Sequence, residues 1–296
     1  MTEQLPHVQN ANHARALALG IRGKRRPCSE AQTEDMPAPE LAAYLPRLCV
    51  RLGAILDGEL LGVYAGGSLA LGAYEHGRSD VDVVAVSRGA LSVERKQLLV
   101  EQLRHEAFPC PARGLELVVY AEQAIGEPSP EPGFEVELNS GAAMEFHAAL
   151  DPSGANGRHW YVLDRALLAR HGVTLLGPPP SALFAHVPRE LVLPALDASL
   201  RWFAEYEASS SSAVLNACRA LRYASEGRWA SKADAGRWAL ERLGDRELIS
   251  EALLARETGD SLDGARVKRF LDRVGADLRN ALPGAAPGRL SPPPPA

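Results

Sequence analysis

The chain has 296 residues, 46% of them apolar and 23% charged, with a formal net charge of −5. That length and apolar content suffice for one or two buried cores and exclude a fibrous or wholly disordered chain. The slight acidity argues against long nucleic acid as the main partner, because neutralising phosphates takes a basic surface, and favours a small, neutral or cationic acceptor.

Residues 1–38 are polar and irregular and are expected to be a disordered extension. Their basic run Arg22, Lys24, Arg25, Arg26 reads as a solvated tail. Leu41, Tyr44, Leu45, Leu48, Leu52, Ile55 and Leu56 recur at helical spacing and predict an amphipathic helix over 39–57. A strand over 61–65 then enters the turn Gly66-Gly67-Ser68, with a short helix expected over 69–72. A strand over 81–86, a helix over 91–106 and an alternating strand around Leu115-Glu116-Leu117-Val118-Val119 follow. The Glu-, Gly- and Pro-rich segment 121–160 carries no assignment, and 161–170 reads as a helix.

Gly177-Pro178-Pro179-Pro180 can continue neither a helix nor a central strand and marks a domain boundary. The expected organisation is an α/β domain over 39–180, with a mixed sheet and flanking helices, and an all-α bundle over 181–283. Four helices are expected in the bundle, over 189–207, 213–226, 232–244 and 262–280. The Pro-rich tail 284–296 is expected to be disordered. Cys28, Cys49, Cys110 and Cys218 are widely spaced and form no Cys-x-x-Cys pair, so reduced, buried thiols are expected rather than zinc ligands. No segment has membrane-spanning length and no signal-type apolar core opens the chain, which reads as soluble and cytoplasmic.

The chemistry concentrates in three places. In Ser79-Asp80-Val81-Asp82 the two acids alternate along a strand start and so share a face, about 7 Å apart at Cα. Unneutralised carboxylates that close repel each other, and a divalent cation between them reverses the sign. Glu116 is a third acid in an otherwise apolar strand. The Gly67-Ser68 turn can hold phosphate oxygens through backbone N–H groups and a hydroxyl; it is also the pattern of an ordinary strand-to-helix connection, and neither a Gly-Lys-Ser/Thr nor a dinucleotide fingerprint follows it. Ser79 either assists the site or caps the strand start.

This ordered set resembles the nucleotidyltransferase superfamily. From about residue 60 to 282 the chain is similar to the aminoglycoside adenylyltransferases of the streptomycin and spectinomycin type. The carrying stretches are Gly67-Ser68, Ser79-Asp80-Val81-Asp82, Leu115-Glu116-Leu117-Val118, Leu175-Leu176-Gly177-Pro178 and residues 218–243, with Arg219, Gly227, Lys232 and Trp238 at family spacing. The resemblance implies transfer of AMP from ATP to a hydroxyl of a small cationic acceptor. Asp80, Asp82 and Glu116 would hold one or two Mg²⁺ ions. Glu116 would act as base, as metal ligand or as both, and Gly67, Ser68, Ser79, Arg219 and Lys232 would contact the nucleotide. Local physics agrees for Lys232: Ser231 reads as an N-cap, so the lysine stands in a first helical turn, where a cation is disfavoured unless a phosphate is there.

Two departures concern the acceptor. The acids and tryptophans that meet the drug ahead of the second bundle helix are replaced by the serine run 209–212, and Leu138-Asn139 stands about where the family places an aromatic ring. Glu137, Glu145 and Asp151 are candidates to attract a cationic acceptor, while Trp202, Trp229 and Trp238 read as packing residues. A protein, a tRNA end or another metabolite as acceptor, and a silent ATP sensor, are the competing readings. A monomer is expected.

Overall fold

The computed structural model describes residues 38–155 and 157–281. The extension expected over 1–38 lies outside these residues except for Ala38, as do Cys28, the basic run and the expected tail.

The helix predicted over 39–57 is α1 (Pro39–Leu56), and every residue named in its stripe is buried. Each such apolar side chain contributes about 1.5–3 kcal/mol relative to exposure, before ordering costs. A six-stranded sheet follows, with strands β1 (Leu60–Ala65), β2 (Val81–Ser87), β3 (Leu115–Ala121), β4 (Phe134–Gly141), β5 (Met144–Ala149) and β6 (Val173–Leu176) in the order β5-β4-β3-β2-β1-β6. β2 and β3 run parallel and the other neighbours are antiparallel, so the sheet is mixed, as expected. The unassigned segment supplies the β4–β5 hairpin. Its first strand alternates cleanly between buried and half-buried residues, but that signal sits between turn-rich stretches that hide its ends.

Alternation gives the sheet two unlike faces. Val63, Ala65, Val83, Ala85, Leu117, Val119, Val136 and Leu138 pack under α1 and α3 (Val93–Leu103). Tyr64, Val84, Val86, Tyr120 and Phe134 pack on the opposite face, against Tyr161 and Leu168 of α5 (His159–His171) and against Phe184. The helix predicted over 91–106 is therefore shorter than expected. The short α2 (Gly67–Ala70) begins within the glycine turn rather than after it.

Among the described residues the second half contains five α-helices, one more than predicted: α6 (Arg189–Tyr206), α7 (Ser211–Glu226), α8 (Lys232–Leu240), α9 (Arg246–Thr258) and α10 (Gly264–Asn280). The overlooked α9 buries Leu248, Ile249, Ala252 and Ala255, a narrow stripe built half of alanine and flanked by charges. Gly236 of α8 lies where a Cβ would press on Leu253 and Leu215, so α8 seats closely against α7 and α9. Trp238 is buried, Trp229 stacks near Tyr223, and Trp202 packs edge-on to Trp160 and Phe203, which agrees with packing roles.

The two halves meet along α5. Val162, Leu163 and Ala166 of this helix join the bundle core, while Tyr161 and Leu168 join the sheet core. The segment 177–188 that follows β6 is anchored on the sheet, where the Tyr64 hydroxyl donates to the Pro178 carbonyl at 2.9 Å. Cys49, Cys110 and Cys218 are buried.

Candidate active site

Register brings the acids together. On the face that α5 covers, Asp82 of β2 stands opposite Glu116 of β3, Glu116 opposite Asn139 of β4, and Asn139 opposite His147 of β5. Laterally paired residues project to one side of a sheet, so these four form a polar rung. It lies one step beyond the apolar rung of Val84 and Val118. The same face is thus greasy under α5 and polar where that cover ends.

The glycine turn is shaped around Asp82. The Gly66 N–H donates to the Asp82 carbonyl at 2.9 Å, and Gly67 has φ of 46°, a conformation that favours glycine. A Cβ at Gly67 would collide with the Asp82 carboxylate itself, so only glycine lets the turn close over it. The Ser68 hydroxyl is buried and, among the described residues, has no hydrogen-bond partner. Ser79 caps: its hydroxyl accepts the Glu75 N–H at 3.0 Å, and its own N–H donates to the Glu75 carbonyl at 2.8 Å. That tight loop delivers Asp80 directly to the start of β2.

The bundle supplies the opposing charges. Arg219, midway along α7, donates through Nε to the Ala230 carbonyl and through Nη1 to Asn216 Oδ1, both at 2.9 Å. Ser231 caps α8 by accepting the Asp234 N–H at 3.0 Å, which places Lys232 in the first turn as expected. The Lys232 Nζ donates to Ser212 Oγ at 3.0 Å. The serine run therefore has structural tasks: Ser210 caps α7 and Ser212 holds the lysine. Among the described residues, neither cation forms an ion pair with an acid of the sheet.

Each side is electrostatically costly. Burial, and then the charge of Asp80, push the Asp82 carboxyl up to about 7 although Lys232 and Arg219 pull it down. Burial followed by Asp82, Asp80 and Asp164 hold Glu116 well above the usual carboxylate range. Across the cleft, burial lowers Arg219 below the ordinary arginine range, and burial together with the Arg219 charge lowers Lys232. Both arrays are weakened as ions by desolvation and by like charge, the condition that a ligand carrying both signs relieves.

Sequence reasoning missed Asp164. It lies on α5 one turn before Leu168, whose side chain sits where a Gly66 Cβ would reach it at 3.5 Å. Asp164 is open to solvent yet walled by protein; that enclosure, and then the charge of Asp82, push it up to about 7. One acid within the apolar run Tyr161-Val162-Leu163-Asp164-Arg165-Ala166-Leu167-Leu168 was the available signal. One turn earlier, the Tyr161 hydroxyl donates to Glu137 Oε2 at 2.8 Å, and His147 Nε2 lies 3.4 Å from the same oxygen. Of the three acids considered for the acceptor, Glu137 lies on this face, Glu145 is exposed farther along β5, and Asp151 accepts the Ser153 N–H at 2.9 Å in a local turn.

Among the described residues no three His, Cys, Asp or Glu side chains stand together as a group placed to hold a metal ion. The donor set nevertheless fits a hard divalent cation. Asp80, Asp82 and Glu116 offer only carboxylate oxygens, Asp82 and Glu116 are both influenced by the charge of Asp80, and among the described residues none of the three forms an ion pair with lysine or arginine.

Comparison with known proteins finds one family model and a similar solved fold. Residues 182–276 match the family model described as aminoglycoside adenylyltransferase, C-terminal domain. The fold is similar to the crystal structure of spectinomycin adenyltransferase AAD(9) from Enterococcus faecialis with ATP and spectinomycin. The identity is 18% and the TM-score 0.61, over 80% of this chain and 98% of that one. No curated protein matches the chain in sequence.

Proposed function

We propose, for a chain whose residues 182–276 match the aminoglycoside adenylyltransferase C-terminal domain, that it is a nucleotidyltransferase moving AMP from ATP to a hydroxyl of a small cationic acceptor of aminoglycoside type. The observation that carries this reading is that carboxylates on the sheet and two cations on the bundle feel each other's charge while, among the described residues, forming no ion pair. A triphosphate with its cation satisfies both walls at once.

In this reading Asp80, Asp82 and Glu116 would hold Mg²⁺, which supplies charge neutralisation to the phosphates. Arg219 and Lys232 take the phosphate oxygens that become more negative as pyrophosphate leaves. The turn at Gly67 and Ser68 binds the terminal phosphates, and the orphaned Ser68 hydroxyl finds its acceptor there. Glu116 takes the proton of the acceptor hydroxyl as that oxygen attacks the α-phosphorus and the bond to the β-phosphate bridging oxygen breaks. Burial and the neighbouring acids raise its affinity for a proton above that of an exposed carboxylate, the direction that strengthens a base. Beside it, Asn139, Glu137 and His147 offer an acceptor-facing wall with one carboxylate for an ammonium group.

The test is pyrophosphate release from ATP and Mg²⁺ in the presence of a panel of aminoglycosides and aminocyclitols. Drug-dependent release supports the reading. Release only with a protein, RNA or unrelated metabolite moves the acceptor to another class, and ATP binding without any release makes the chain a sensor.

A further inference from the structure

A second set of contacts crosses from the sheet to the bundle, away from the apolar α5 seam. Glu75 lies in the loop that ends at Asp80. One carboxylate oxygen, Oε1, accepts from Arg256 Nη2 of α9 at 2.9 Å, and the other, Oε2, accepts from Arg78 Nη1 at 3.2 Å. Arg78 then donates through Nη2 to the Glu257 carbonyl at 2.7 Å. Glu257 is in the last turn of α9, where carbonyls have no helical partner, so a guanidinium there is well placed. Two guanidiniums and one carboxylate thus tie the end of α9 to a single loop.

That loop is stiff on its other side. Arg78 N–H and Ser79 N–H both donate to the Glu75 carbonyl, at 3.0 and 2.8 Å, and Ser79 Oγ accepts from the Glu75 N–H at 3.0 Å. The Ser79 carbonyl accepts the Arg113 N–H and the Val81 N–H donates to the Gly114 carbonyl at 2.9 Å, fastening the segment around Asp80 to the start of β3. A pull on Glu75 therefore reaches Asp80 and Asp82 through a short, hydrogen-bonded path. Meanwhile α9 packs on α8 and α7, which carry Lys232 and Arg219.

We infer that Arg256 and Glu75 form a positioning pair that clasps the acid-bearing loop to the helical domain and so holds the two walls of the ATP site at working distance. The inference rests on the ATP site proposed above. Neither residue needs to touch nucleotide; the pair acts by keeping the binding-competent arrangement populated before ATP arrives. The ion pair is half-exposed, with side-chain exposures of 20% for Arg256 and 38% for Glu75, so a modest effect is expected.

The experiment measures Mg·ATP affinity of the full chain by titration calorimetry, alongside the melting temperature, for Arg256→Ala, Arg256→Lys, Glu75→Gln and the double variant Glu75→Gln/Arg256→Ala. The expected result is a loss of about three- to fivefold in ATP affinity for either single charge removal. The double variant loses no more than the singles, because they break one device, and Arg256→Lys recovers part of the loss. Glu75→Gln gives the decisive reading. Were Arg256 itself a phosphate ligand, freeing it from Glu75 would leave affinity unchanged or tighter, which overturns the clasp. Melting shifts without affinity changes also overturn it. Wild-type protein that binds no ATP fails the site reading itself, whereas equal binding by wild type and every variant fails the clasp alone.

Discussion

The cleft and the outer bundle handle charge in opposite ways. On the bundle, acids meet arginines directly: the buried carboxylate of Asp197 accepts from Arg279 at 2.6 Å and also pairs with Arg201, Asp245 pairs with Arg273, and Glu251 takes Arg266 at 2.9 Å. Between sheet and bundle, Asp82, Glu116, Arg219 and Lys232 are desolvated as well, yet among the described residues none of them forms an ion pair with another. Folding alone would favour closing those pairs or replacing them by apolar groups. Their separation divides charges neutralised within the fold from charges that, under the proposed function, a ligand neutralises.

The comparison can be broken first at its acidic wall. Glu116→Gln keeps size and removes the proton acceptor, and transfer should fall by about 10²- to 10⁴-fold while ATP still binds, as steady-state pyrophosphate release and ATP titration would report. Unchanged turnover would remove Glu116 as the base. On the opposite wall, Arg219→Met should lower kcat/KM by about 10²-fold through lost phosphate stabilisation. Its melting temperature should hold or rise, because a desolvated cation without a counter-ion is removed. A large drop in melting temperature would show that Arg219 is structural.

The bundle should respond in reverse. Asp197→Asn leaves two arginines without their shared carboxylate and is expected to cost about 1–3 kcal/mol by denaturant unfolding. ATP affinity should not move, since Asp197 lies among α6 and α10 rather than on the cleft. A pH-dependent effect lies at the seam. Burial, and secondarily the Arg201 charge, lower His159 from 6.5 to about 4, so the folded state keeps it neutral where the unfolded chain already binds a proton. Its contribution is fully present above pH 6.5 and lost as pH falls toward 4. The melting temperature should decline across that window, and His159→Gln should flatten the decline.

Much of this arrangement was legible in local pattern. The stripe of α1, the alternation around Glu116 and the serine cap that places Lys232 all depend on neighbours in sequence, which is why spacing reveals them. Other features were not. α9 hid because its buried stripe is short and rich in alanine, and the β4–β5 hairpin because turn-forming residues flank it. Asp164 read as one polar position on a helix; nothing within α5 says that it faces Asp82 and Arg219. Ser79 stood equally between two roles until its hydroxyl was found on the Glu75 amide.

What the chain's own order determined is which side chains share a face: Asp80 with Asp82 by the two-residue period of a strand, and the cations by caps and helical turns. What only the tertiary structure decided is which faces meet. The rung from Asp82 through Glu116 and Asn139 to His147 depends on strand register, and the gap between that rung and Arg219 depends on how the bundle docks through α5 and the Glu75–Arg256 contact. Backbone periodicity is a local property of bonded neighbours, whereas register and docking are set by burying surfaces far apart in the chain.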